Sequence, residues 1–196
     1  IYSVDRNGKT KKLSKEVGTN NATFSTSMKY FMNVYSSAQQ PPVTTLCAAN
    51  DGKVLKTMVD NSELKSAVAA ISGKKEFFTF TTSEGVKLNG WMVKPRDFDA
   101  QKKYPVIMYQ YSGPGSQEVT DSWNMGFYPG TVFESYMAAQ GFVFVCVDGR
   151  GTGARGADFE KCTYLKLGEL ESKDQVEAAI YLGSLPYIDK NRIAIW

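Results

Sequence analysis

Residues Phe142-Val143-Phe144-Val145-Cys146-Val147 form an unbroken apolar run, and such a run has few structural solutions. A strand with apolar side chains on both pleated faces has to be covered on both, as a central strand of a parallel sheet is. The neighbouring segments fit that frame. A helical stretch over 132–140 ends at Gly141, a good C-cap residue. Residues 106–111 read as a short apolar strand introduced by Tyr104-Pro105. Residues 171–185 place Val176, Ala179, Ile180 and Gly183 at helical spacing, with acids in the first turns and Pro186 beyond the end. The next strand is 193–196. Upstream, 76–82 and 86–93 read as strands paired around Ser83-Glu84-Gly85. The expectation is an α/β unit whose later part runs βαβαβ.

The first sixty or so residues have another texture. Residues 1–4 lead into the turn cluster Asp5-Arg6-Asn7-Gly8 and a short strand at 11–13. Residues 22–27 and 30–36 carry β-formers. Residues 43–48 run into Asn50-Asp51-Gly52, whose residues tolerate positive φ, and then Val54-Leu55. Strands at this spacing suit a meander, as in a propeller blade or a sandwich. About four fit, which is one blade, and one blade cannot bury both faces without neighbours. Residues 61–71 read as a short helix and linker. The expected division is 1–70 for the blade and crossover, and 71–196 for the α/β part. Ile1 is not an initiator methionine and the last strand runs into Trp196, so both ends read as cut ends.

Composition excludes several classes. The 23 basic and 20 acidic residues are interspersed and leave a net charge of +3, which is no nucleic-acid footprint. Cys47, Cys146 and Cys162 are too few and too scattered for a metal site or a disulfide framework, and no cofactor is expected. No run approaches the ~18 apolar residues of a membrane span. The chain has no histidine. A serine nucleophile ordinarily needs a histidine or lysine base held by a third group, and no such set can be assembled here. The 196 residues alone are expected to be catalytically silent.

Three motifs carry chemistry. Tyr109-Gln110-Tyr111-Ser112-Gly113-Pro114-Gly115-Ser116-Gln117 follows a strand of the α/β part, where open sheets place ligands and α/β-hydrolases place an oxyanion donor. Tyr111 could supply a phenolic O–H to an oxyanion, or it could cap the strand and pack. Gly151-Thr152-Gly153-Ala154-Arg155-Gly156 formally matches a dinucleotide-binding fingerprint. Residues 157–166 are not a convincing helix, however, and no acid-ended strand follows about twenty residues on. The expectation is a glycine-rich loop that lets Asp148 and Arg150 fold back into polar contacts. Glu169, Glu171 and Asp174 suit the dipole of a helix start. Trp91, Trp123 and Trp196 read as core or loop-anchoring aromatics, and Asn21-Ala22-Thr23 is a formal glycosylation sequon.

Taken together, Lys102-Lys103-Tyr104-Pro105, Tyr111-Ser112-Gly113-Pro114-Gly115-Ser116-Gln117 and Asp148-Gly149-Arg150-Gly151-Thr152-Gly153 resemble the dipeptidyl peptidase IV branch of the prolyl oligopeptidase family. So do Leu167-Gly168-Glu169, Asp174-Gln175-Val176-Glu177-Ala178-Ala179 and Asp189-Lys190-Asn191-Arg192-Ile193-Ala194-Ile195-Trp196. The resemblance implies the end of a β-propeller followed by the N-terminal half of an α/β-hydrolase domain, ending just before a Gly-Trp-Ser-Tyr-Gly-Gly nucleophile elbow. It implies a serine exopeptidase that releases N-terminal dipeptides with Pro or Ala second, works by acyl transfer, and forms homodimers outside the cytoplasm. Tyr111 matches the family's oxyanion-hole tyrosine. Nucleophile, acid, base and the amine-binding glutamate pair match nothing in this chain; Glu16, Glu63 and Glu76 do not form that pair. Gly115 departs from the cysteine often found there in mammalian members. The alternative is a non-catalytic relative that serves as a binding module.

Overall fold

The computed structural model describes residues 1–71, 73–124 and 130–196. The chain divides into two compact units, one of residues 1–67 with 121–124 and the other of residues 68–120 with 125–196.

In the first unit, β1 (Tyr2–Val4) and β2 (Thr10–Lys12) form a small antiparallel hairpin. Asp5 closes its turn, its carboxylate accepting from the N–H groups of Asn7 and Lys9 at 2.9 Å. Four further strands, β3 (Thr19–Phe24), β4 (Tyr30–Ser37), β5 (Gln40–Ala48) and β6 (Val54–Val59), pair in sequence order as an antiparallel meander. This is the four-stranded meander expected from the turn spacing. The Asn50-Asp51-Gly52 turn lies where the hairpin signal put it. Gly52 takes φ +74°, and a Cβ there would stand 2.1 Å from the Leu13 carbonyl oxygen, so only glycine fits. Leu13, Phe31 and Cys47 form the buried cluster of this unit. Trp123 returns to the same unit, where its N–H donates to the Ser36 hydroxyl and the neighbouring Asp121 carboxylate accepts from the Ala38 N–H. Helix α1 (Ser62–Ile71) follows, as expected of a short helix and linker.

The second unit holds a five-stranded sheet of β7 (Lys75–Thr81), β8 (Lys87–Val93), β9 (Tyr104–Tyr109), β10 (Val143–Asp148) and β11 (Ile188–Ile195), in the spatial order β11-β9-β10-β8-β7. Helix α2 (Thr131–Ala139) connects β9 to β10; α3 (Ala157–Lys161) and α4 (Glu169–Ser184) connect β10 to β11. The apolar run is central, as anticipated, and its two pleated faces explain its composition. Val143, Val145 and Val147 pack with Ala178 and Leu182 of α4, whereas Phe144 and Cys146 pack with Ala138 of α2 and Trp91 of β8. Burial in this apolar surrounding raises the Cys146 thiol well above its ordinary pKa.

Three expectations are corrected. β10 is parallel to β9 but antiparallel to β8, so the sheet is mixed. The last strand starts at Ile188 rather than 193, with a register shift between Ile188 and Ile193 where the polar residues 189–192 masked its beginning. The buried stripe of α4 is Glu171, Asp174, Gln175, Ala178 and Leu182, while Val176 and Ile180 are 60% and 64% exposed.

Candidate active site

The strand order creates a site before any side chain is considered. β9 leads through α2 to β10 on one side; β10 leads through α4 to β11, which pairs with β9 on the other side. α2 and α4 cover opposite faces of the sheet. The side on which successive parallel strands are added therefore reverses at β9, and a crevice opens beyond its carboxyl end, the place where open α/β sheets bind ligands.

A cleft of about 900 Å³ lies there. Its walls include Gln110, Tyr111 and Gly113 after β9, Ile193 and Ile195 of β11, and Gln175 of α4. Tyr111 sits two residues past the end of β9, not inside the strand as the 106–111 reading had it. Tyr111 is 67% exposed. Trp196 continues the pairing of β11 with β9: its N–H donates to the Met108 carbonyl and its carbonyl accepts from the Gln110 N–H.

The loop carrying Tyr111 has neither strand nor helix of its own from 110 to 120. It is tied instead by single hydrogen bonds. The Gln175 side-chain amide donates to the Ser112 hydroxyl at 3.4 Å and to the Val147 carbonyl at 2.9 Å. Gly153 N–H donates to the Ser116 carbonyl at 2.8 Å. The Asp148 carboxylate accepts from the backbone N–H groups of Glu118 at 3.1 Å and Val119 at 2.9 Å, and Trp91 Nε1–H donates to the Glu118 carbonyl at 3.1 Å. Burial raises the Asp148 pKa against the pull of those two amides. Burial also raises that of Glu118, to which the Asp148 and Glu134 charges add.

The glycine-rich segment after β10 behaves as the sequence reading expected. Arg150 Nε and Nη2 donate to the Asp174 carboxylate at 2.7–3.1 Å, its N–H donates to the same group, and Nη2 also meets Glu84 at 2.9 Å. The Asp174 hydrogen bonds push the Arg150 pKa further up, so the guanidinium stays charged at any working pH. Asp174 is fully buried against Arg150 rather than merely complementing a helix dipole. Of the other two acids, Glu171 caps α4 through the Gly168 N–H. The amides that a pyrophosphate would need are in use, Gly151 to Phe159, Thr152 to Gly149 and Gly153 to Ser116, and α3 has five residues. Neither the Gln175 tie nor the Asp174 partnership had a local sequence signal, because both join residues 24 or more positions apart. Among the described residues no group of three or more Cys, Asp or Glu is gathered to hold a metal, and no helix is long and apolar enough to cross a membrane.

The profile of the prolyl oligopeptidase family matches residues 132–196. A probable dipeptidyl-aminopeptidase B of Paracoccidioides lutzii is 32% identical over an alignment of 201 residues that takes in 100% of this chain and 21% of the relative. The crystal structure of Porphyromonas gingivalis dipeptidyl peptidase 4 superimposes with a TM-score of 0.91 at 46% identity, covering 100% of this chain and 27% of that one. A putative dipeptidyl aminopeptidase IV from Bacteroides ovatus gives 0.82 at 31% identity, covering 99% of this chain and 27% of that one. The chain thus spans about a fifth of the curated relative's length. The fold is that of β-propeller blade strands followed by the N-terminal half of an α/β-hydrolase domain, and along its whole length the chain is similar to dipeptidyl peptidase IV-like proteins, with residues 132–196 matching the prolyl oligopeptidase family.

Proposed function

We propose that the protein containing this chain is a serine-type dipeptidyl peptidase that removes N-terminal dipeptides with Pro or Ala in the second position. In this reading residues 1–70 end the propeller and 71–196 begin the catalytic domain, with nucleophile, acid and base supplied by residues outside this chain. The protein works outside the cytoplasm as a homodimer. One observation carries the reading. An exposed tyrosine with no hydrogen-bond partner for its hydroxyl among the described residues stands at the switch point of the sheet, on the cleft. Similarity to dipeptidyl peptidases along the whole chain supports it.

The chemistry assigned to Tyr111 follows from its position. When a serine oxygen attacks the scissile carbonyl, the π electrons move onto the carbonyl oxygen. A phenolic O–H aimed at that oxygen stabilises the transition state more than the ground state. Tyr111→Phe in the full-length protein is expected to lower kcat by roughly 10²–10³-fold with little change in KM, read with Gly-Pro-p-nitroanilide. An unchanged kcat in a normally folded variant would assign Tyr111 to packing. Absence of turnover by the full-length wild type would favour the binding-module reading instead.

A further inference from the structure

An oxyanion donor acts at full strength only when it is held within a fraction of an ångström of its working position. Tyr111 is carried by a loop that cannot supply such rigidity. Gly113 and Gly115 take φ +114° and +81°, with nothing within 4 Å of where a Cβ would stand, so the tip of the loop is open. The Ser116 N–H and hydroxyl both donate to the Gly113 carbonyl and close that turn on itself, so what fixes the loop relative to the sheet is its ties to other elements. Those ties converge on the carboxyl end of β10: Val147 shares Gln175 with Ser112, Asp148 holds Glu118 and Val119, and Gly153 holds Ser116.

We propose that Asp148 is a positioning residue for Tyr111, its carboxylate fixing the trailing end of the 110–120 loop so that the phenolic hydroxyl is presented to the cleft. The inference rests on the oxyanion role given to Tyr111 above. Asp148 suits the task for two reasons. It is the last residue of the central strand, its backbone paired with Asn89 of the antiparallel neighbour β8. A carboxylate also offers acceptor oxygens to two successive amides, in charge-assisted bonds stronger than neutral ones. An asparagine in its place would present one acceptor and turn an NH₂ toward an N–H donor.

The test is steady-state kinetics of the full-length protein with Asp148→Asn, Tyr111→Phe and the double variant. Asp148→Asn is expected to lower kcat by about 10-fold or more while KM stays within roughly 2-fold, because the lost interaction belongs to the transition state. In the Tyr111→Phe background the same change is expected to cost almost nothing, the non-additivity of two residues acting through one another. A loss of equal size in both backgrounds, or no loss in either, overturns the proposal. A general weakening of the fold would not distinguish the two backgrounds, so that comparison separates positioning from mere stability. If Asp148→Asn does not accumulate as folded protein, Asp148→Glu, which keeps both oxygens but displaces the amides, is compared in the same way. Should neither fold, Asp148 serves folding and the proposal falls. An inactive wild type would sink the peptidase reading itself. An active wild type with a Tyr111→Phe defect but no Asp148 effect would sink this inference alone.

Discussion

Lys75 and Glu134 form an ion pair at 2.7 Å with side chains 7% and 2% exposed, and the ammonium also lies 4.0 Å from the centre of the Trp91 ring. Burial raises the Glu134 pKa, and the Lys75 charge and hydrogen bond oppose that rise. A buried pair adds little net stability, but removing one partner strands the other charge. Lys75→Met is therefore expected to destabilise the protein by about 3–5 kcal/mol, measured by urea unfolding, and Lys75→Met with Glu134→Leu to recover most of the loss. The sign of the pH effect follows from the raised pKa. The folded protein holds the Glu134 proton more tightly than the unfolded chain, so this contribution is complete below the unfolded value near 4.5 and is lost as pH rises through the higher folded value. The stability of the wild type relative to Glu134→Gln should fall as the pH is raised above about 4.5; a difference constant with pH would show that Glu134 does not titrate differently in the folded and unfolded protein.

At the scale of elements, the sheet tolerates a glycine in the middle of β8 for a steric reason. A Cβ on Gly90 would stand 2.5 Å from Phe78 Cζ and 2.8 Å from the Cys146 carbonyl oxygen, that is, against both neighbouring strands. Gly90→Ala is expected to cost about 1–3 kcal/mol through overpacking, seen as a lower urea midpoint with an unchanged slope; a midpoint at the wild-type value would mean that Phe78 swings away freely. Helix α4 shows where periodicity misleads. Two stripes are available on it, and the apolar one through Val176 and Ile180 looks like the core face. The face that is buried carries Asp174 and Gln175, which are admissible there because Arg150 neutralises the one and Val147 and Ser112 engage the amide of the other. Those partners come from other elements, so the helix sequence alone holds no trace of them.

Over the whole molecule, apolar side chains remain at the surface in both units, among them Val54, Leu55 and Met58 on β6 and Val176, Ile180 and Ile195 in the sheet-and-helix unit. Patches of that kind associate. Prepared as 196 residues alone, the chain is expected to self-associate with rising concentration in sedimentation and to leave Gly-Pro-p-nitroanilide uncleaved, since it contains no histidine to act as base. A sharply melting monomer would count against the first expectation, and turnover against the second.

Much of this architecture was legible in the residues because it depends on local chemistry. The Asn50-Asp51-Gly52 turn, the doubly apolar β10 and the glycine-rich segment that turns Asp148 and Arg150 inward are all dictated by φ preferences and side-chain polarity within a few residues. Tyr111 could be singled out for the loop it stands in, but its exposure on the cleft could not. Only tertiary structure decided that β10 runs antiparallel to β8, which stripe of α4 is buried, and that Asp148 and Gln175 tether the Tyr111 loop. Strand direction, burial of a charge and the aim of a side chain each depend on groups tens of residues away, whose proximity exists only once the sheet has formed.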